Sequence, residues 1–423
     1  MAEPRSRRAV CMLVYNNMVH DARVRREART LAEAGYEVTV IAIHDPGRTP
    51  REEVVHGFRI VRLSRSILGI GRQEMAGALR RRRSRGVGGP GPPGGLPRPE
   101  SRLERAARLL LFPLRRVLVF LRFVRRAVAT RADAYHAHDL NVLLMAWAAS
   151  RLRRVPLVYD THEVATDRAR MTLRWWACLL ERALIHRADR VICTTQLRAE
   201  YTQRRYGIAP PTVLRNLPAY VEPQPSGLLQ ERLGLPRETR VVLYQGGIQP
   251  ERGLEQLVEA APAIGEATVV LLGSGRLKPA LARRVAARGL GQKVRFHDAV
   301  PVEELPSWTA CAYVGLQILQ NTCFNHYSSL SNKLLEYLMA GVPVVASDLP
   351  EMRRVIEDTG AGVLVDASDP GQIAEAVNRL LGDERMREEM AERARLARRR
   401  YCWEVEQGTL VELYAGLFAE RAS

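Results

Sequence analysis

Short apolar runs alternate with helical stretches along almost the whole chain, and this alternation restricts the folds open to it. Apolar strand-like runs recur from residues 9–15, through Glu37–Ile43, to residues 343–346. Helical stretches such as Asn332–Ala340 and residues 370–381 lie between many of them. Continuous apolar strands that alternate with helices are typical of a parallel sheet covered on both faces. The pattern therefore predicts an α/β protein built from doubly wound, Rossmann-like domains.

The length of the chain favours two such domains. Its 423 residues exceed the roughly 250–300 residues at which a single core stops growing. Proline and glycine cluster near residues 216–237, which is the composition of a linker. We predict an N-terminal domain over 1–215, a C-terminal domain over 238–400 and a terminal helix within 401–423. Ligands of open α/β sheets bind beyond the carboxyl ends of the strands, so we expect the site in a cleft between the two domains.

The positive charge is concentrated in one region. The net charge is +18, and residues 61–131 carry 18 arginines and three glutamates, hence +15 of it. Within an expected insertion at about 65–131, residues 86–99 predict a disordered loop, and residues 102–131 predict a basic amphipathic helix broken near Pro113. Such a helix can lie on an anionic membrane surface, or pack on its domain with an exposed arginine face. Nucleic-acid binding is disfavoured, because no recognition module or interleaved aromatic residues accompany the arginines.

Two glycine turns in the second half follow apolar strands and precede helices. The first, LYQGGIQPERG, holds Gly246, Gly247 and Arg252, and the second, LLGSG, holds Gly273 and Gly275. Adjacent glycines let the backbone approach a ligand and direct N–H groups at it, and a guanidinium can bind a phosphate. Each loop alone also fits an ordinary strand-to-helix turn.

The stretch YSSLSNKLLEYLMAGVP at residues 327–343 predicts a helix whose start can hold an anion. Ser331 can cap the helix and leave its first amides free. Lys333 in the first turn suits a phosphate, and Glu336 on the same face suits the vicinal hydroxyls of a ribose. The other interpretation is an amphipathic helix with a local ion pair.

Taken together, these motifs resemble the retaining, nucleotide-sugar-dependent glycosyltransferases of family 4, which have the GT-B fold. GGIQPERG resembles the family's donor-diphosphate loop, and SNKLLEYLMAGVPVVASDLPE its signature helix and strand. NNMVHDARVRREARTLAEAGYEVTVI, DAYHAHDLN and VYDTHE resemble its N-terminal loops. The resemblance implies sugar transfer from a UDP- or GDP-linked donor, retention at the anomeric carbon, no metal and no other cofactor. It also implies that the last helix packs back on the N-terminal domain.

The resemblance assigns the donor site residue by residue. Gly247 stands where the family usually has arginine, and Arg252 keeps the charge of its partner lysine. Glu336 matches the usual ribose ligand, whereas Ser328 stands in place of the family's other glutamate. We expect Lys333 to supply the charge that Gly247 lacks. The donor-binding set is Gly246, Gly247, Arg252, Gly273, Gly275, Ser328, Ser331, Asn332, Lys333 and Glu336.

In the N-terminal half, the resemblance places His138 against the donor sugar, with His136 as a weaker candidate. Asp139 can orient an imidazole. The expected catalytic set is His138, Asp139, Arg252 and Lys333. A metal site is disfavoured, because the histidines and carboxylates lack an established ligand spacing. The expected acceptor-binding residues are Asp21, Arg23, His162 and Glu163.

The sequence thus predicts a hexosyltransferase that acts on an envelope, lipid-linked or small-molecule acceptor. Reduced cysteines and the lack of a secretory signal favour a cytoplasmic location, with peripheral attachment to the inner membrane face. Gly247 and Ser328 leave open a donor-binding scaffold that has lost catalysis. A GT-B sugar epimerase shares the fold, and a polyanion-binding protein is a further, weaker alternative.

Overall fold

A computed structural model describes residues 7–66, 102–164, 174–224 and 226–421. The loop expected at 86–99 lies outside these ranges. The chain divides into two compact units. The first comprises residues 1–162, 175–192 and 410–423, and the second comprises residues 163–174 and 193–409.

The first sheet has eight strands in the order β3-β4-β2-β1-β5-β6-β7-β8. Its strands and the helices between them are β1 (Ala9–Leu13), α1 (Ala22–Glu33), β2 (Glu37–Ile43), β3 (Glu52–Val55), β4 (Phe58–Leu63), α2 (Arg102–Thr130), β5 (Ala134–His138), α3 (Leu140–Arg153), β6 (Leu157–Thr161), α4 (Arg174–Ile185), β7 (Arg190–Cys193), α5 (Gln196–Tyr206) and β8 (Thr212–Val213). The pairs β1–β2, β1–β5, β2–β4 and β5–β6 are parallel. The strands are largely buried, as expected for a sheet covered on both faces.

One edge of this sheet differs from the predicted parallel arrangement. β3 pairs with β4 in antiparallel orientation, with Val55 opposite Phe58. His56 and Gly57 form the turn, and both have positive φ values of 48° and 81°. A two-residue turn with positive φ at both positions matches the twist of a hairpin. The sequence analysis missed this hairpin.

The basic helix is not broken near Pro113. α2 runs from Arg102 to Thr130 through the proline. Proline in a helix interior removes one hydrogen bond, and the helix nevertheless continues on both sides of Pro113. Val119, Phe123 and Ala127 are spaced four residues apart and are buried along one face of α2.

The second sheet has six strands in the order β11-β10-β9-β12-β13-β14, and all of its pairings are parallel. Its elements are α6 (Leu228–Leu233), β9 (Val241–Gln245), α7 (Leu254–Ala260), β10 (Thr268–Leu272), α8 (Lys278–Ala287), β11 (Val294–His297), α9 (Leu305–Thr309), β12 (Val314–Gln317), α10 (Phe324–Tyr327), α11 (Asn332–Ala340), β13 (Val344–Ser347), α12 (Pro350–Thr359), β14 (Gly362–Val365), α13 (Pro370–Gly382), α14 (Glu384–Ala397) and α15 (Trp403–Ala419).

Successive side chains of a strand in the second sheet pack into two different apolar clusters. Val241 and Leu243 belong to one apolar cluster, whereas Val242 and Tyr244 belong to another. Because side chains alternate across a strand, the two clusters lie on opposite faces of the sheet. Apolar cover on both faces is the doubly wound arrangement, and it confirms the predicted α/β fold class.

The end of the chain contributes to the first unit from residue 410 onward. The hydroxyl of Tyr414 in α15 lies 3.0 Å from Nδ1 of His136 in β5, and both side chains are buried. In the part of the chain that the structure covers, every helix is too short or too polar to cross a bilayer.

Candidate functional site

In the second unit, a glycine turn at the end of β9 lies beside a lysine side chain. Gly246 has a φ of +114° and donates its amide to Leu272 O at 2.8 Å. A Cβ on Gly246 would lie 2.8 Å from Cε of Lys333. Gly246 and Gly247 are exposed, and the amide of Gly247 donates no hydrogen bond within the described chain. The predicted donor loop and the start of α11 therefore meet within one unit.

Gly273 and Gly275 have a steric role at this turn. A Cβ on Gly273 would lie 1.9 Å from Gly246 O, and one on Gly275 would lie 2.0 Å from Ile248 O. Ile248 in turn donates its amide to Ser274 O at 3.0 Å. The LLGSG loop therefore needs glycine in order to pack backbone against backbone and support the donor loop.

The first turn of α11 keeps its backbone donors available. Ser331 is the N-cap, and its side chain makes no capping hydrogen bond. The amides of Asn332, Lys333 and Leu334 reach no acceptor among the residues that the structure covers. Asn332 instead accepts at Oδ1 a 3.1 Å hydrogen bond from the side chain of Asn216. Uncapped amides at a helix start carry partial positive charge and favour an anion.

Two cations lie close to this helix start. Burial and the nearby positive charge of Arg252 lower the pKa of Lys333 to about 8, although Glu336 acts in the opposite direction. Lys333 Nζ lies 5.3 Å from the centroid of the Tyr244 ring. Arg252 forms no ion pair or hydrogen bond with any residue in the described ranges. The positive charges of Lys333 and Arg252 repel each other, and an anion bound between them and the free amides would offset that repulsion.

Glu336 is held by residues that the sequence analysis missed. Gln245 donates from Nε2 to Glu336 Oε2 at 2.6 Å and accepts from the Thr309 hydroxyl at 2.8 Å. The amide of Gln245 donates to the hydroxyl of Tyr337, which itself donates to Leu243 O. Gln245 is 1% exposed. A polar residue that ends an otherwise apolar strand was the available signal.

Ser328 is enclosed by its own unit. Its side chain has no exposed surface. The hydroxyl donates to Phe324 O at 2.7 Å and accepts from Arg198 Nε at 3.2 Å. Arg198, also unnoticed in the sequence, further donates to Thr194 and Asn325. In this arrangement, Ser328 stabilises the segment that precedes α11.

In the first unit, the ends of β5 and β6 carry a buried cluster of charged groups. His138 and Asp160 are register partners on neighbouring parallel strands. Arg23 donates to both carboxylate oxygens of Asp160 at 2.9–3.1 Å. Arg23 also pairs with Glu27, one turn along α1, at 2.8 Å. Burial opposes the charge on Asp160, but Arg23 and His162 hold the pKa of this carboxyl well below its usual range.

Two histidines complete this cluster. His138 Nδ1 lies 3.1 Å from His162 Nε2, which is also 3.2 Å from Asp160 Oδ2. Burial would lower the pKa of His162, but Asp160 and Asp139 outweigh it and raise the pKa to about 9. Burial lowers the pKa of His138. At neutral pH, His162 is therefore charged and His138 is neutral.

The structure places the four expected acceptor residues in different surroundings. Asp21 is the N-cap of α1 and accepts the amide of Val24 at 3.1 Å. Arg23 is buried in its ion pairs, and His162 is largely buried beside His138. Glu163 belongs to the second unit, where its charge acts on His326. Asp139 is the N-cap residue of α3, with a φ of +67°, and lies 3.7 Å from His162 Nδ1.

One group of side chains in the described ranges has donor atoms close enough to bind a metal ion. Glu27, His136, His138 and Asp160 each offer one atom, and these atoms lie within 4.8 Å of one another. Arg23 already pairs with the carboxyl groups of both Glu27 and Asp160. A divalent ion here would lie next to this guanidinium and the charged His162. The donor set therefore fits a buried ion-pair network better than a metal site.

Two family models match consecutive parts of the chain. The model of the "Glycosyl transferase 4-like domain" matches residues 20–218, and that of "Glycosyl transferases group 1" matches residues 239–383. A D-inositol 3-phosphate glycosyltransferase of Thermomonospora curvata is 30% identical over 317 residues, which cover 67% of this chain and 71% of the relative.

Two solved structures share the fold. The sucrose-phosphate synthase of Thermosynechococcus elongatus has a TM-score of 0.71 and 19% identity, with 98% of this chain and 100% of that chain covered. Anabaena HepE in complex with UDP-glucose has a TM-score of 0.69 and 16% identity, with 96% and 99% covered. The fold is therefore that of a GT-B protein. The chain belongs to the family 4 glycosyltransferases and is a glycosyltransferase.

Proposed function

We propose that the enzyme transfers a sugar, with retention of anomeric configuration, from a nucleoside diphosphate donor and without a metal ion. The observation that carries this proposal is the meeting of Lys333, Arg252 and the uncapped start of α11 at the Gly246–Gly247 turn. A diphosphate is the anion that such a combination of amides and cations suits. The UDP-glucose that the structure of HepE contains supports the same donor class.

The proposed chemistry requires stabilisation of the leaving diphosphate. Lys333, Arg252 and the free amides would neutralise its charge, and fixed dipoles of this kind need no reorganisation during reaction. Glu336, oriented by Gln245, would accept hydrogen bonds from the ribose hydroxyls. The departing phosphate oxygen would help to deprotonate the acceptor, so that no pair of glycosidase-like carboxylates is required.

His138 is the residue of the first unit that we propose for contact with the donor sugar. Its Nε2 atom is buried and has no hydrogen-bond partner in the described chain. A buried donor without a partner is costly, and a ligand hydroxyl would satisfy it. Asp139 and His162 would act through the orientation of this imidazole. We propose an envelope, lipid-linked or small-molecule acceptor, in line with the family resemblance.

Calorimetry and product analysis test the donor chemistry. UDP-glucose and GDP-mannose are titrated into the protein with and without EDTA. We expect binding of one of them, unchanged by EDTA. NMR of the sugar first released by slow donor hydrolysis should show the anomeric configuration of the donor. Loss of turnover in EDTA, or release of the inverted anomer, would contradict the proposal.

The burial of Ser328 gives a second candidate some support. A serine enclosed in this way cannot replace the donor contacts that the family's glutamate makes, so a donor-binding scaffold without turnover remains a candidate. The two differ in one measurement: the scaffold binds donor with measurable heat but releases no sugar on prolonged incubation. A sugar epimerase would instead change the sugar with no acceptor present.

We also propose that α2 contacts an anionic membrane at the cytoplasmic face. Arg115, Arg116 and Arg125 are exposed on this helix, and Val117 and Leu121 are exposed between them. Each arginine near such a surface contributes about 1 kcal/mol, and salt weakens the attraction. Vesicles of phosphatidylcholine with phosphatidylglycerol should bind the protein more tightly than phosphatidylcholine alone. The Arg115→Gln/Arg125→Gln variant should lose most of that preference, and equal binding to both vesicles would exclude the contact.

A further inference from the structure

The helix α4 exposes three large apolar side chains at its start. Trp175 and Trp176 are 58% and 57% exposed, and Leu179, one turn further, is 54% exposed. The two indole rings stack with centroids 4.6 Å apart. We call these three residues the tryptophan patch. Scattered surface apolar residues are ordinary, but a contiguous group of this size marks an interaction surface.

The opposite side of α4 is attached to the first sheet. Ala177, Leu184 and Ile185 are buried. Glu181, also buried, accepts a 2.7 Å hydrogen bond from the hydroxyl of Tyr159 in β6. Because one face of α4 packs on the sheet, the tryptophan patch faces away from the core.

α2 and α4 pack on the same face of that sheet. The hydroxyl of Tyr135 in β5 donates to Ala127 O in α2, just as Tyr159 bonds to α4. Ala137 is the register partner of Tyr159, and Tyr135 lies two residues before Ala137. Side chains two residues apart share a face, and register partners share it too. The exposed side of α2 and the tryptophan patch therefore point to the same side of the first unit.

The charge around the tryptophan patch identifies the partner. Arg182 is exposed further along α4, Arg187 is exposed just beyond the end of this helix, and no acidic side chain of α4 is exposed. Indole rings favour the boundary between headgroups and acyl chains, since their apolar body and N–H suit both sides. Exposed arginine beside them suits phosphate headgroups. Aromatic groups at the start of α4, with arginines in its last turn and just beyond its end, match the surface of an anionic bilayer.

A second copy of the chain fits this surface less well. A two-fold contact centred on Trp175 and Trp176 would give the exposed Arg182 of each copy no acidic partner on the other α4. Three side chains also provide far less than the roughly 800 Å² per partner that a stable dimer buries.

We infer that Trp175, Trp176 and Leu179 insert into the interface of a bilayer containing anionic lipid, and that α4 is a second membrane contact beside α2. This inference rests on the membrane contact proposed for α2, but it can fail separately from it. The tryptophan patch would add apolar anchoring to an otherwise electrostatic, salt-sensitive attachment. Binding should therefore keep a component that persists in high salt.

Tryptophan fluorescence tests the insertion directly. The full chain is mixed with phosphatidylcholine–phosphatidylglycerol vesicles whose acyl chains carry bromine, which quenches nearby indoles. We expect quenching in the wild type and its loss in Trp175→Ser/Trp176→Ser. Removal of two inserted aromatic side chains should lower the vesicle partition coefficient by about tenfold or more. Leu396→Ser, at an exposed apolar position of the second unit, is the matched control and should bind as the wild type does.

Three outcomes would overturn the inference. The first is unchanged vesicle binding by the double tryptophan variant together with loss of binding by Arg115→Gln/Arg125→Gln, which leaves only the α2 contact. The second is vesicle binding without any quenching by bromine. The third is a wild-type dimer in light scattering that the double variant converts to a monomer, which would assign the tryptophan patch to a second copy. Unfolding curves and donor calorimetry show that each variant is folded, independently of the membrane result.

Discussion

His138 Nδ1 and His162 Nε2 lie 3.1 Å apart at the ends of two neighbouring parallel strands of the first unit. A charged His162 carries a proton on Nε2, and both His138 Nδ1 at 3.1 Å and Asp160 Oδ2 at 3.2 Å are close enough to accept it. We expect His138 to accept this proton at Nδ1 and therefore to carry its own proton on Nε2, the buried atom that lacks a partner in the described chain. His162 is expected from the sequence to bind acceptor, and its position also lets it set the tautomer of His138.

Replacement of His162 by glutamine should therefore act on turnover rather than on donor binding. We expect kcat to fall about 10- to 100-fold, as for other residues that orient an active group, with a smaller change in the donor Kd. Nitrogen-15 NMR of the imidazoles should show loss of the Nε2–H tautomer of His138. His186→Gln, at an exposed histidine of the same unit, is the control. An unchanged tautomer population would contradict the assignment.

Replacement of only one partner of the ion pair between Arg23 and Asp160 should strongly lower the free energy of unfolding. Asp160→Asn leaves the buried guanidinium without its bidentate partner, and we expect a loss of about 3–5 kcal/mol in the free energy of unfolding. Denaturant unfolding measures it. Glu33→Gln breaks the exposed Arg29–Glu33 pair of the same helix and should cost at most about 1 kcal/mol. Equal losses in the two variants would show that the buried cluster has no special role.

The first unit should lose stability in mildly alkaline solution. The pKa of His162 rises from 6.5 to about 9, and burial raises that of Glu27 from 4.5 to about 8. A group whose pKa is raised by folding stabilises the folded protein at pH values below its ordinary pKa. That stabilisation is lost as the pH rises through the pKa of the group in the folded protein. Unfolding free energy should thus decline from about pH 6.5 to about pH 9. His162→Gln should have a shallower decline, and a wild-type curve that is flat over this range would oppose the charge assignment.

Lys333 should control donor affinity through its charge. Lys333→Ala should weaken donor binding by about 1.5–3 kcal/mol, the usual contribution of a hydrogen bond to a charged group. With its free-protein pKa of about 8, wild-type affinity should fall as pH rises through that value. Lys333→Arg keeps its charge and should keep its affinity at alkaline pH. Calorimetric titration with donor across this pH range measures the effect. Donor binding by Lys333→Ala as tight as that of the wild type would show that Lys333 is not part of the donor site.

Gly273 should be intolerant of any side chain. Alanine there would place Cβ 1.9 Å from Gly246 O at a φ of +149°, and we expect a loss of about 2–4 kcal/mol in unfolding free energy from strain and overpacking. Donor binding should weaken with it, because the donor loop must shift. Gly291→Ala, where no atom lies within 4 Å of the added carbon, should behave as the wild type in both measurements. A stable Gly273→Ala protein with normal donor affinity would contradict the packing role.

Several elements of the fold were readable from local patterns. Glu37–Ile43 and Asn332–Ala340 have the predicted bounds, because their apolar spacing and flanking turns are complete within a few residues. The β3–β4 hairpin was missed, since β3 has only four residues and is half-exposed. The continuity of α2 through Pro113 was also mispredicted, because proline is locally a helix-breaking residue and the prediction ended the helix there.

The donor residues show the same division. Glycine turns after strands and a helix start with Ser331 and Lys333 are local features, so the sequence alone pointed to an anion site and to the family, although Ser331 makes no capping hydrogen bond in the structure. Only the fold decides that Lys333 lies against Gly246, that Gln245 orients Glu336, and that Ser328 and Arg23 are buried in contacts of their own. Two residues of the same type can have different roles, because the segments that bury each side chain and place charges beside it are far apart along the chain. The alternation of apolar runs and helical stretches therefore determined the α/β architecture. The protonation and accessibility of each polar group were decided by packing between segments distant in sequence.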